Sequence, residues 1–218
     1  MIAAVLFASL VACQPVARPT LPALRQVPQV DSTLPALFAR GQTFAEFVDR
    51  ATARRDGWVR LQAEATVRPE LLARARAVGG SWQLLVVAVD ACGDSMNSVP
   101  YAARLADSVP GLSMRIVLPS AGGRAVQQAH RSLDGRAATP TLVLLDATGA
   151  EAGCIVELPA PLRHWTDKAR SSVSGDSLHG YRSAFYAKDK GVSITTELVE
   201  LLEAAKAGTP RCERQVTR

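Results

Sequence analysis

The chain has 218 residues, enough for one domain of ordinary size plus an extension, and its 48% hydrophobic and 21% charged residues exclude disorder along its whole length. The net charge of +5 comes from scattered basic residues, with Arg54–Arg55 an adjacent pair, and aromatics make up only 5%. A nucleic-acid groove needs a basic stripe interleaved with stacking rings, so a nucleic-acid partner is excluded.

The four cysteines are Cys13, Cys92, Cys154 and Cys212. No pair has C-x-x-C spacing, and His130, His164 and His179 lie far from them in sequence. Nothing resembles zinc-ligand spacing. No metal and no cofactor is therefore expected, and the histidines are expected at the surface.

Taken in chain order, residues 2–12 form a short apolar run that ends at Cys13. It falls well short of the ~20 residues of a membrane-spanning helix and has the length of a signal-peptide core. Leu10-Val11-Ala12-Cys13 resembles the bacterial lipobox, which implies lipid on Cys13, although no Lys or Arg precedes Arg18. Pro15, Pro19, Pro22, Pro28 and Pro35 then mark a semi-rigid extended spacer. By the same resemblance, Gln14 in place of an aspartate after the cysteine favours the outer membrane. The expected location is the bacterial cell envelope, on the periplasmic face.

Thr43-Phe44-Ala45-Glu46 has the form of a capping box and predicts a helix to about Arg55. Trp58–Ala65 and 69–78 read as two more helices, the latter opened by Pro69 and stopped by Gly79-Gly80. Trp82–Val89 is a continuous apolar run, the signature of a strand buried on both faces. Helix 99–106 follows and contains Pro100. A strand over 112–118, a helix over 124–133, a strand over 142–145, a turn at 146–149 and a strand over 154–158 come next, and a helix over 193–206 closes the domain. Strand, crossover and strand make a parallel pair, while the last two strands make an antiparallel hairpin. The fold class is α/β, with a central mixed sheet of four to five strands flanked by helices. The expected division is signal peptide 1–12, tether 13–35, helical extension 36–80, domain 81–208 and tail 209–218.

Three local features carry a resemblance. Cys92-Gly93-Asp94-Ser95 stands at a strand-to-helix junction, Pro100 lies within the following helix, and Thr139-Pro140 opens the third strand. With Tyr181-Arg182-Ser183-Ala184-Phe185-Tyr186 before the last helix, the chain resembles the thioredoxin-like superfamily, and within it a bacterial subfamily with a helical N-terminal extension. The resemblance implies a thioredoxin-like fold over about Leu37 to Ala205, a cis Thr139–Pro140 bond facing Cys92, and redox chemistry at Cys92. Two departures limit it. Ala91 stands where the family carries tryptophan, and Ser95 stands where it carries the second redox cysteine.

At a helix N-terminus, unpaired amides favour a thiolate, while Asp90 and Asp94 oppose it by charge; Asp94 is also placed to take those amides for itself. A serine hydroxyl can hydrogen-bond a sulfur but cannot resolve a mixed disulfide. Two readings stand. One is thiol–disulfide exchange through Cys92 alone, with envelope protein thiols or disulfides, or a small thiol, as partners. The other is a non-catalytic binding module using the groove between Cys92 and Pro140. Thiol peroxidase chemistry ranks below both, since no arginine adjoins Cys92 in sequence. Cys154 and Cys212 are expected to be neighbours able to form a disulfide, with Cys154 at the start of the fourth strand and remote from Cys92.

Overall fold

The computed structural model describes residues 33–212. Cys13, the apolar run before it and most of the proline-rich stretch lie outside the described residues, as does the chain after Cys212. No helix among the described residues is long and apolar enough to cross a membrane.

Four helices precede the sheet: α1 (Leu34–Arg40), α2 (Phe44–Arg50), α3 (Arg55–Glu64) and α4 (Pro69–Val78). Pro35, read above as the end of the tether, sits in the first turn of α1, where its missing N–H costs nothing. The capping box is present. The Thr43 amide donates to Glu46 Oε2 at 2.8 Å, and the Glu46 amide donates to Thr43 Oγ1 at 3.2 Å. The helix it opens ends at Arg50, short of the expected Arg55. Arg54 takes a left-handed φ of 54°, and the Arg55 guanidinium donates to the carbonyls of Val48, Asp49 and Ala51 at the end of α2. The carbonyls left over at a helix end are thus satisfied by a side chain and the chain is free to turn.

The strands are β1 (Trp82–Val87), β2 (Leu112–Val117), β3 (Thr141–Leu145), β4 (Glu151–Val156) and β5 (Arg211–Cys212), in spatial order β2-β1-β3-β4-β5. β1 and β2 are parallel, β3 runs antiparallel to both β1 and β4, and β5 lies parallel to β4. The sheet is therefore mixed and five-stranded. The crossover between β1 and β2 is α5 (Gly93–Ser108), and α6 (Gly123–Ala129) leads toward β3. Side chains alternate in β1, so Leu84 and Val86 join a core with α2 to α5 and the last helix, α9 (Val192–Lys206). Leu85 and Val87 join a second core on the opposite face with Leu37 of α1 and Val126 of α6. Burial on both faces is why the strand reads as an unbroken apolar run.

Two helices that apolar spacing did not reveal, α7 (Ala160–Ala169) and α8 (Gly175–Asp189), lie between β4 and α9. They close a small cluster of Leu158, Leu162 and Tyr186. In α8, Tyr186 alone is buried, so there is no apolar stripe to read. His164 and His179 are exposed as expected. His130 is not: it ends α6 against β4 with 2% of its surface exposed.

β4 carries one irregularity. Leu144 pairs with Gly153 but Leu145 pairs with Glu151, so Ala152 is an extra residue, a bulge. Cys154 is the fourth residue of this strand rather than its first, because the strand begins at Glu151. It pairs in register with Cys212, and the two form a disulfide across a Cα–Cα distance of 4.5 Å. Gly153 holds φ at 149°, and a Cβ on it would lie 2.5 Å from Leu201 Cδ1 and 2.6 Å from the Arg211 carbonyl oxygen. Gly153→Ala should therefore lower stability by about 3 kcal/mol, through overpacking and a backbone conformation that L-residues avoid; urea denaturation measures it, and an unchanged midpoint would contradict the packing described here.

Candidate functional site

Cys92 is the N-cap of α5, five residues beyond the buried end of β1 at Val87. It is half-buried and is the free cysteine of the described residues. Its Sγ lies 3.1 Å from the Thr139 carbonyl oxygen, to which a thiol donates, and accepts the Ser95 amide at 3.4 Å. The α5 amide expected above to be open to Asp94 is thus directed at the sulfur. The Thr139–Pro140 bond is cis. The strand it opens is held by Ala138, whose carbonyl accepts from Gln127 Nε2 and Thr141 Oγ1, each at 2.8 Å. Cys92, Ser95, Thr139 and Pro140 are therefore brought together at one end of the sheet. Ser95 is fully buried, and its hydroxyl has no hydrogen-bond partner among the described residues. Its amide, not its hydroxyl, meets the sulfur.

The two aspartates beside Cys92 are engaged away from it. Asp90 Oδ2 accepts the amides of Thr52 and Ala53, both at 2.8 Å. The Ala53 amide, outweighing burial and helped by Thr52, holds this carboxyl below the usual range. The Asp90 carbonyl accepts from Trp58 Nε1 at 2.9 Å, and the Ala91 carbonyl accepts from Arg54 Nε at 2.8 Å. The loop bearing Cys92 is thereby bolted to the helical extension. Trp58 is buried, with Phe47 edge-on at 5.1 Å.

Asp94 turns to α8. Its carboxylate meets Arg182 Nη1 at 3.2 Å and accepts the Tyr186 hydroxyl at 3.0 Å. Burial pushes the Asp94 carboxyl up, against the pull of Arg182 and Tyr186, and Glu157 adds to the rise. Burial, then the charge of Asp94, also drives the Tyr186 phenol well above its ordinary value. Arg182 reaches Glu157 as well, at 3.6 Å. Glu157 follows β4 with a left-handed φ of 64°, its amide donates to the Pro140 carbonyl at 2.7 Å, and its carboxylate receives Arg136 Nη2 at 2.9 Å. Arg182 thus bridges the acid beside Cys92 and the acid behind Pro140.

Arg54, Trp58, Glu157, Arg182 and Tyr186 were given no role by sequence reasoning. Arg182 and Tyr186 fall in the Tyr181–Tyr186 segment that carried part of the resemblance, which was the available signal for them. A polar cleft of about 890 Å³ opens beside α5, lined among others by Arg54, Arg60, Asn97, Tyr101, His179 and Lys190. Gly93 and Asp94, the two residues after Cys92, also line this cleft, and the chemistry available beside it is that of one thiol.

Replacing Arg182 by leucine should lower stability by about 2–3 kcal/mol, because Asp94 keeps its burial and loses its cation. Arg182→Leu combined with Asp94→Asn should recover part of that loss in a denaturation cycle; strict additivity would show that the pair is not coupled. Acid stability tests the neighbouring loop. Burial pushes Asp134 up, but hydrogen bonds from Arg136 and Ser132 and the charges of Arg136 and Arg170 outweigh it and bring its pKa to about 2. A depressed carboxyl adds stability above its unfolded value, and that stability is lost as pH falls. The wild type should exceed Asp134→Asn by up to about 2 kcal/mol at pH 7, less where solvent screens its half-exposed arginines. The difference should close between about pH 4 and pH 2, and a pH-independent difference would refute the assignment.

No curated protein matches this sequence. Among solved structures, a protein of unknown function from Pseudomonas aeruginosa is 20% identical with a TM-score of 0.64, the match covering 79% of this chain and 98% of that one. A crystal structure described as an HIV epitope scaffold is 18% identical with a TM-score of 0.62 over the same shares. Both likenesses concern the fold. The sequence pattern of the family described as Thioredoxin matches residues 41–170, more than half of the 218-residue chain and a span that contains Cys92, Ser95 and Pro140. The chain belongs to the thioredoxin family.

Proposed function

We propose that the protein carries out thiol–disulfide exchange through Cys92 alone, held at the periplasmic face of a bacterial envelope membrane, the outer membrane in preference, by lipid on Cys13. The observation that carries this reading is the placement of one free thiol at the N-terminus of α5, opposite the Thr139 carbonyl and within reach of the Ser95 amide. The Cys92 thiolate attacks one sulfur of a partner disulfide. A new S–S bond forms, the old one breaks, and the departing thiolate takes a proton. The mixed disulfide waits, because Ser95 offers no second sulfur. A thiol of the same partner, or a small thiol, then attacks, and Cys92 leaves as thiolate.

Envelope protein thiols and disulfides, or a low-molecular-weight thiol, are the partners this chemistry requires. The purified protein should reduce insulin slowly, and Ser95→Cys should raise the rate by about tenfold or more by supplying a resolving thiol. Wild type, unlike Cys92→Ala, should accumulate mixed disulfides with glutathione on mass spectrometry. Equal insulin reduction by wild type and Ser95→Cys would mean that another cysteine resolves the adduct. Absence of any adduct, with no activity in either variant, would leave the groove as the binding surface of a non-catalytic module.

A further inference from the structure

On the α1–α6 face of the sheet, four side chains from three segments, the end of α6, β4 and β5, bring donor atoms together. The sulfurs of Cys154 and Cys212, a ring nitrogen of His130 and a carboxylate oxygen of Glu151 all lie within 4.8 Å of one another. His130 Nδ1 is 2.7 Å from the Val126 carbonyl oxygen. A carbonyl only accepts, so Nδ1 carries a proton, and the other nitrogen, Nε2, faces the cluster 3.0 Å from Glu151 Oε2. A backbone carbonyl that fixes the far nitrogen is the arrangement that orients a ligating histidine.

The β4 bulge makes the cluster possible. Residues three apart on a regular strand point to opposite faces. The extra residue Ala152 cancels one alternation: Ala152 joins the α9-side core, and a Cβ on Gly153 would point at Leu201 of α9. Glu151 and Cys154 consequently share the other face. β5 then sets Cys212 directly beside Cys154. Bulges commonly serve to re-aim a side chain, and here the one re-aimed is a carboxylate, turned toward a buried imidazole and two sulfurs.

We propose that these four residues form a redox-gated zinc site, closed while Cys154 and Cys212 are joined and competent once they are reduced. A dithiol reductant opens it. Its two thiols become a disulfide, the Cys154–Cys212 bond breaks, and two electrons and two protons pass to the cysteine sulfurs. Zn²⁺ then displaces the two thiol protons and the proton shared between His130 Nε2 and Glu151, all three passing to solvent, and takes two thiolates, His130 Nε2 and a Glu151 oxygen. Two soft sulfurs, one imidazole and one carboxylate suit tetrahedral zinc better than the oxygen-seeking calcium or magnesium. Four protein ligands leave no open position, so the metal's role is to hold β5 and the C-terminal segment in place of the disulfide. The site is separate from Cys92 and does not rest on its chemistry.

The test uses the full-length Cys13→Ser/Cys92→Ser chain, whose remaining thiols are the pair in question, with cobalt(II) as the spectroscopic probe. After phosphine reduction and anaerobic desalting it should bind one cobalt per chain, with the visible bands of a tetrahedral site and sulfur-to-metal charge transfer. Zinc should bleach both, and the oxidised chain should show neither. His130→Ala in the same background should weaken binding by at least about tenfold. The proposal fails if the reduced, folded chain takes up no cobalt, if the oxidised chain binds equally well, or if His130→Ala has no effect. Should reduction unfold the chain, recovery of its circular dichroism on adding zinc supports the site, and no recovery overturns it.

Discussion

The geometry at Cys92 depends on one guanidinium. Arg182 stands between Asp94, which follows Cys92 by two residues, and Glu157, whose amide donates to the Pro140 carbonyl. Both acids are largely buried; Asp94 has Arg182 as its cation, while Glu157 shares Arg182 with the closer Arg136. Through Arg182, α8 fixes the distance between the first turn of α5 and the loop that opens β3. A helix with a single buried residue thus controls the site by charge rather than by apolar packing.

This also redefines the electrostatics of Cys92. Sequence proximity places two negative charges beside the sulfur. In the folded chain one is spent on the amides of Thr52 and Ala53, and the other on Arg182 and Tyr186. What remains directed at Cys92 Sγ is the Ser95 amide on one side and the Thr139 carbonyl on the other. Charge counted along the sequence overstates what the sulfur meets, because carboxylates in a folded chain find donors of their own.

The legibility of the fold follows the same division. β1 and β3 were readable because burial on both faces demands unbroken apolar runs. α2 was readable at its start, where the capping box is a local interaction, and not at its end, where Arg55 reaches back to carbonyls of the preceding turn. The residues gathered around Cys92 were legible as a set because strand ends and helix starts are local signals. Arg182 and Tyr186 gained no role, since their partner Asp94 lies about ninety residues away and an ion pair leaves no periodicity. His130 was misplaced at the surface for a related reason. A lone histidine at the end of a short helix reads as polar, and only the register of β4 shows that Glu151 and the sulfurs lie beside it.

That register also bears on whether a second sulfur could serve Cys92. Cys154 pairs with Val143, and Val143 pairs with Leu85, so it sits level with the middle of β1 and two strands to the side. Two strand spacings are ~9–10 Å, and Cys92 lies further off still, beyond the end of β1 at Val87. Cys154 projects into the core on the α1–α6 face and is bonded to Cys212 across the neighbouring strand. Exchange between the two sites would require β4 to leave the sheet, with the loss of its backbone bonds on both edges. Among the described residues the chain therefore holds two sulfur sites that cannot pass a disulfide between them: one at the end of the sheet, facing the Thr139 carbonyl, and one in its interior, facing an imidazole.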